Sequence, residues 1–437
     1  MHSDNNSVSL IKYDGTSNAV ARAVELCNGF EHLRENHKVL LKPNVLWGGG
    51  GTKKIPKYGF ITTARIVEDV IKILREHGCR DISIGEGTIE DKELGSDTLK
   101  GYKWSGIAKV AKKYDVRLID FNKQPYKQVE LDGYKISISK IALEADFLVN
   151  LPVLKTHCQT KVSLGFKNLK GCLSMGSKRS FHETDLERMI ALLNTEVKPA
   201  LTIIDGIYAM EHGPSAMGTA HRMNLIIAGK DNLSCDIVGS KVLGIEPSSV
   251  EYLKEFAAMT NRSLEISTIE VRGESIKDVS RKLEWTRDFE DVARRENING
   301  LSFQFPGKRF CTGCVTHTES VMLGFCKDNK GTTFDDIEIC AGGEVKPKKE
   351  SKKVFLMGKC SIQANKDLKD AFRVKGCPPK AMDMFMTLVN HTIDKRRARR
   401  ILLGRLFKSI AYKFGIYNEV FPSYKCYGLP EFDDEHF

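Results

Sequence analysis

The chain has 437 residues, 41% of them hydrophobic, enough for two or three cored domains and too apolar for a disordered protein. Its net charge of +11 comes from Lys and Arg spread along the sequence with no nucleic-acid-binding motif, which excludes a nucleic-acid partner and points to small anionic ligands. The opening MHSDNNSVSLIKYDG lacks a secretory pattern and no stretch is apolar enough to span a bilayer; a cytoplasmic protein without a membrane partner is expected, in which twelve cysteines signal metal ligation or burial rather than disulfides.

Over the first 270 or so residues, short β-rich runs alternate with helical periodicity. KVLLKPNV, DISIGEG, VRLIDF, DFLVNLP, LTIIDG and NLIIAG read as strands, which predicts an α/β domain with a largely parallel sheet, residues 1–275. Between the first two of these runs, Thr62 and Thr63 cap a helix whose stripe is Ile66, Val70, Ile73 and Leu74, and His77-Gly78 ends it. The glycine run 48–51 lacks the GK[ST] ending of a phosphate cradle and reads as a loop.

Several strands finish in polar residues, where open α/β sheets present ligand groups. Lys42 and Asn44 follow the first of these runs, and Glu86 ends the next. The stretch DFLVNLPVLKTHCQTKVSLGFKNLKGCL runs from an apolar strand into Lys155, His157, Lys161, Lys167, Asn168 and Lys170, a set suited to holding a carboxylate or phosphate. Substrate binding is therefore assigned to Lys42, Asn44, Lys167, Asn168 and Lys170. Lys155, His157, His182, Asp205 and Glu211 are the candidate catalytic residues, as orienting and proton-carrying groups. His212 and His221 read as ordinary surface or hydrogen-bonded histidines, and Asp205 also suits a turn cap.

The motifs LKPN, LPVLKTH, FKNLKG, a downstream His, and IDG-x-x-x-ME-x-GP resemble, over about 240 residues, the family of domain of unknown function 362. The resemblance implies a fold and a redox context, since members are frequently joined to iron-sulfur modules.

A charged segment around 270–300, GESIKDVSRKLEWTRDFEDVARREN, lacks strand character and is expected to be a helical connector, residues 276–302. From 303 to 392 a smaller α/β unit follows, with FDDIEICAGG and KKVFLMGKC as strands. Cys311-Thr-Gly-Cys314, Cys360 in GKCSIQAN and Cys377 in VKGCPPKAMD sit at loop or strand ends, so four thiolates from separate loops can converge on one [4Fe-4S] cubane. Structural zinc is the alternative, although zinc favours two compact pairs and Cys360 and Cys377 do not form one. Cys326 and Cys340 have apolar neighbours and read as packing residues.

CTGC, GKC and GCPP resemble the proximal-cluster motifs of nickel-iron hydrogenase small subunits and the related cluster subunit of respiratory complex I, over about 90 residues. That resemblance implies a flavodoxin-like half-domain with [4Fe-4S] held by Cys311, Cys314, Cys360 and Cys377.

Residues 393–437 form a basic tail, in which IDKRRARRILLGRLFKSIAYKFG places Ile401, Leu402, Leu406, Phe407 and Ile410 on one helical face. Packing on its own domain is the expectation, with an anionic membrane or a protein partner as alternatives. Taken together, these features predict an iron-sulfur oxidoreductase acting on a small anionic substrate or cofactor, with a ferredoxin-like electron donor. The alternatives are a non-catalytic electron-transfer subunit that docks on a partner protein, or a cluster-dependent lyase or isomerase.

Overall fold

A computed structural model describes residues 6–48, 58–92, 95–214, 218–285, 289–305, 310–348, 351–413 and 425–427. They divide into two compact units: one reaches residue 285 and takes in 425–427, the other runs from 289 to 413. Beyond Gly48, the glycine run 48–51 lies outside the described residues.

The strands of the first unit are β1 (Ser7–Lys12), β2 (Val39–Pro43), β3 (Ile82–Glu86), β4 (Arg117–Asp120), β5 (Tyr126–Leu131), β6 (Tyr134–Ser139), β7 (Phe147–Leu151), β8 (Val153–His157), β9 (Lys161–Val162), β10 (Leu201–Glu211), β11 (Thr219–Gly229) and β12 (Glu270–Gly273). The main sheet has the order β12-β1-β11-β10-β7-β2-β3-β4. From β10 to β4 every pairing is parallel, while β11 runs antiparallel to both β10 and β1. Each of the six runs expected as strands is one, so the α/β expectation holds.

The sheet is covered on both faces, as a parallel sheet must be to bury its apolar side chains. Because side chains alternate along a strand, Val39, Leu41, Phe147 and Val149 enter one core and Leu40 and Leu148 the other. The helix Ala64–Glu76 buries Ile66, Val67, Val70, Ile73 and Leu74 against the first face, at about 1.5–3 kcal/mol for each large aliphatic side chain. Thr63 caps this helix through the Ile66 N–H at 3.3 Å.

Counting only the parallel block, the strand order is 3-2-1-4-5: β2 is followed outward by β3 and β4 on one side and by β7 and β10 on the other. The reversal falls between β2 and β7, where Lys42 stands opposite Asn150. Ligands of open α/β sheets bind beyond the carboxyl ends of the strands at such a point.

Two expectations are corrected here. The segment expected as a helical connector, residues 276–302, is not strandless, since a strand begins within it at Asn299, and the tail includes a strand, β17 (Lys425–Tyr427), which pairs with β11. In both cases the exposed edge of a sheet supplies pairing that the segment's own composition does not signal.

The second unit is a four-stranded parallel sheet of β13 (Asn299–Gln304), β14 (Thr333–Ala341), β15 (Lys353–Met357) and β16 (Ala371–Val374), in sequence order with no reversal. Its helices include Thr312–Asp328, Lys359–Ala364, Ala381–Thr392 and Lys395–Lys413. β13 begins at Asn299, inside the segment expected to be a helical connector. Among the described residues no helix is long and apolar enough to cross a membrane.

Candidate functional site

The reversal between β2 and β7 carries a buried ion pair. Lys42 at the end of β2 meets Glu86 at the end of β3, Nζ to Oε2 at 2.7 Å, and Lys42 Nζ also donates to the Pro43 carbonyl at 2.8 Å. Glu86 accepts the Val45 N–H at 3.0 Å and the Gly87 N–H at 2.8 Å, so its charge is held by three donors. The backbone of Gly171 lies so close that a Cβ there would overlap both members of the pair.

Asn168 ties this pair to the neighbouring strands. Its Oδ1 accepts from Lys42 Nζ at 3.4 Å and from Asn44 Nδ2 at 3.1 Å, and its Nδ2 donates to Asn150 Oδ1 at 2.8 Å and the Lys42 carbonyl at 3.2 Å. Asn44 in turn accepts from Lys155 Nζ at 2.7 Å, and Lys155 also donates to the Phe60 carbonyl at 2.7 Å. Lys42, Asn44, Lys155 and Asn168, four residues far apart in sequence, thus form one hydrogen-bonded array.

Further cations flank this array from the segment between β9 and β10. Burial, with the charges of Lys167 and Lys42 beside it, pushes the Lys155 ammonium well below the usual lysine range. Burial lowers Lys167 to about 8 and Lys178 to about 8. Lys178 donates to the Gly87 carbonyl at 2.6 Å, next to Glu86. Lys170 Nζ stands 3.0 Å from His182 Nε2. An ammonium has only protons to give, so Nε2 accepts and the imidazole carries its proton on Nδ1. Burial, and then the charges of Lys170 and Lys167, hold His182 well below the usual histidine range and so neutral. Its buried Nδ1 has no hydrogen-bond partner among the described residues.

Lys42, Lys155 and Lys178 therefore lie near Glu86 at the mouth of a parallel sheet, with Lys167 acting on Lys155 and Lys170 on His182, a desolvated setting in which a bound anion favours the charged form of each lysine. Six predicted residues, Lys42, Asn44, Lys155, Asn168, Lys170 and His182, take part through the bonds just described, and Lys167 through its charge. The other three are engaged elsewhere. Asp205 caps the helix Ala64–Glu76, its carboxylate accepting the Thr63 N–H at 2.8 Å and the Ile207 N–H at 3.1 Å, and burial raises it to about 6. Glu211 pairs with His221 Nε2 at 2.8 Å, so His221 is the hydrogen-bonded histidine rather than the surface one. His157 is buried, and its Nδ1 accepts the Gln159 N–H at 3.0 Å.

Lys178 and Asn150 escaped the sequence reading. A signal existed for Lys178, which stands four residues before His182 and so on the same face of the helix Met175–Glu183. Asn150 is the polar residue within the apolar run DFLVNLP.

In the second unit the cysteines lie at the carboxyl ends of β13, β15 and β16. Cys311 caps the helix Thr312–Asp328, Cys360 lies in the first turn of Lys359–Ala364, and Cys377 follows β16. The Lys359 N–H donates to the Gly376 carbonyl at 2.9 Å and Gly358 N–H to Val374 at 2.8 Å, joining two of the loops. A Cβ on Gly313 would lie 3.2 Å from Pro378 Cγ, so the loop after β13 packs closely on the proline-bearing loop after β16. His317 Nδ1 lies 2.8 Å from the Pro379 carbonyl, pinning the same contact. The Cys314 thiol is raised first by its hydrogen bond to Cys311, then by burial and by the charges of Cys311, Cys377 and Cys360, so all four sulfurs share one electrostatic neighbourhood.

Among the described residues no group of three or more His, Cys, Asp or Glu is drawn tightly enough to hold a single metal ion. A cubane makes a different demand, one thiolate to each of four irons, and the all-cysteine donor set on glycine- and proline-bearing loops fits that chemistry. Cys326 and Cys340 are buried and their thiols pushed up to about 12, and Cys340 packs with Val345, Val354 and Leu356.

The chain is 28% identical over 224 residues to the thylakoid-associated protein sll1697 of Synechocystis sp. (strain ATCC 27184 / PCC 6803 / Kazusa), a match covering 50% of this chain and 66% of that protein, just under two thirds of its length. It is similar to the lactate racemase apoprotein from Thermoanaerobacterium thermosaccharolyticum at 13% identity and a TM-score of 0.35, over 78% of this chain and 71% of the other. Residues 39–241, the segment that carries the whole lysine-rich array and ends before the cysteine-bearing unit, match the family described as Domain of unknown function (DUF362).

Proposed function

We propose that this protein is an iron-sulfur oxidoreductase whose first unit binds a small anionic substrate or cofactor at the β2–β7 reversal. The single observation that carries the reading is the buried lysine-rich region at this reversal, Lys42, Lys155 and Lys178 near Glu86 with Lys167 beside Lys155 and Lys170 beside His182, whose Nδ1–H is unpartnered among the described residues. A buried donor left without an acceptor costs about 1–3 kcal/mol, which an anionic ligand would relieve.

In this reading Lys167 and Lys170 bind the anion, and Lys155 orients it through Asn44. His182 offers its Nδ1–H to the bound anion, and it can pass that proton on only as Nε2 takes one from the Lys170 ammonium 3.0 Å away, so the ring stays neutral throughout. Glu86 balances Lys42 and fixes the floor of the site. Cys311, Cys314, Cys360 and Cys377 would hold a [4Fe-4S] cluster, which supplies one-electron transfer when bound, with a ferredoxin-like protein as donor.

The test is anaerobic purification with iron and sulfide counted, followed by electron paramagnetic resonance of the reduced protein with and without phosphate and short carboxylates. About four irons and four sulfides, with a signal lost in Cys377→Ala and perturbed by one of the anions, is the expected result. Zinc without sulfide, or a cluster signal indifferent to every anion and to Lys167→Met, overturns the reading.

A further inference from the structure

The helix Lys395–Lys413 has two faces that the structure separates. Toward its own unit, Ile401 is buried, Arg405 Nε donates to Asp328 Oδ2 at 2.5 Å with its guanidinium 3.7 Å from the Phe385 ring, and Arg397 donates to Thr332 at 2.5 Å. On the opposite side Leu403 is 46% exposed, Leu406 57% and Phe407 70%, among the most exposed large apolar side chains described. Arg396, Arg399 and Arg400 are exposed as well. At 3.6 residues per turn, these six positions fall within about a third of the helix circumference. The apolar face expected from the sequence is therefore corrected: Ile401 turns inward, and Leu403 joins Leu406 and Phe407 outside.

We propose that this face docks on an anionic membrane surface, lying in the headgroup region without crossing it. The sequence from Lys395 to Lys413 holds no acidic residue, so every charged side chain that this helix places beside the exposed apolar ones is a cation. That composition is what an interfacial helix needs, apolar groups for the acyl boundary and Lys or Arg for anionic headgroups, each such charge contributing about 1 kcal/mol near the surface. A second copy of the chain would bring the same cations into opposition across the contact, which charge repulsion disfavours. The contacts of Arg397, Ile401 and Arg405 fix which face is presented, so the helix needs no refolding to bind.

Sedimentation of the full chain with vesicles tests this. Binding is expected to rise as phosphatidylglycerol is added to phosphatidylcholine vesicles and to fall with salt as surface charges are screened. Leu403→Glu with Phe407→Glu should lower the partition coefficient at least tenfold while leaving the thermal unfolding midpoint unchanged, because neither side chain is buried. Replacing Arg396, Arg399 and Arg400 by Gln should remove the dependence on phosphatidylglycerol. Failure to sediment with any vesicle, binding untouched by the double substitution, or a concentration-dependent dimer lost in that variant with no vesicle binding would each overturn the proposal.

Discussion

Lys42 and Glu86, 44 positions apart in sequence, meet at 2.7 Å across the ends of two adjacent parallel strands with their side chains all but sealed from solvent. A pair this deep stabilises through its partners more than through itself, since each charge left alone has no water to turn to. Lys42→Met and Glu86→Gln should each cost about 3–5 kcal/mol in urea unfolding, whereas the double variant Lys42→Met/Glu86→Leu should recover most of that loss. Additive losses in the double variant would mean the pair acts independently and the array is not organised around it.

Anion binding should weaken at alkaline pH in a defined window. Burial lowers Lys167 and Lys178 to about 8, so the ammonium charges that attract the ligand disappear as pH rises through that value. Calorimetric titration with the anion identified by paramagnetic resonance should show affinity falling above about pH 8, and Lys167→Met should cut it about tenfold at neutral pH while flattening the decline. The sign for folding is opposite. Between about 8 and 10.5 the unfolded chain holds protons that the folded lysines have released, so the ligand-free protein gains stability as pH rises across that interval.

Much of this was legible beforehand, and the reason is local. Runs such as KVLLKPNV and DFLVNLP carry both the strand pattern and the polar residue at its end, so the strands and most of the lysine array could be read from neighbouring letters. The strand order could not, because the reversal between β2 and β7 is a relation among segments over 100 residues apart. Asp205 was ambiguous for a related reason. A carboxylate after an apolar strand suits proton transfer and helix capping equally, and only the position of Thr63 decides that it caps. Glu211 and His221 likewise look unrelated until β10 and β11 pair antiparallel and bring them together.

The two groups of cysteine in the second unit should separate experimentally. Cys326 and Cys340 are buried, Cys340 packed with Val345, Val354 and Leu356, and neither is among the cysteines whose charges act on the Cys314 thiol. Cys326→Ala and Cys340→Ala should each keep the iron and sulfide content of the wild type and lose about 1–2 kcal/mol of stability through lost packing. Cys360→Ala and Cys377→Ala change exposed residues and should lose iron instead. Iron lost in Cys340→Ala but retained in Cys377→Ala would reassign the ligands.

Asp205 gives a test of the capping role that needs no ligand. Its carboxyl is raised from about 3.8 to about 6 by burial, so between those values the folded protein holds a proton that the unfolded chain has released. Its contribution is therefore fully present below about pH 3.8 and lost as pH rises through about 6, some 3 kcal/mol in all by linkage. Asp205→Asn retains one acceptor, for the Thr63 or the Ile207 N–H, without a titrating proton. The stability difference between wild type and Asp205→Asn, measured by urea unfolding at intervals from pH 4 to 7, should shift steadily toward the variant as pH rises. A difference that is constant over this range would mean that Asp205 keeps an ordinary carboxylate and that its burial is offset by the two backbone donors; a reversed slope would place a cation near it that the packing around Thr63 does not supply.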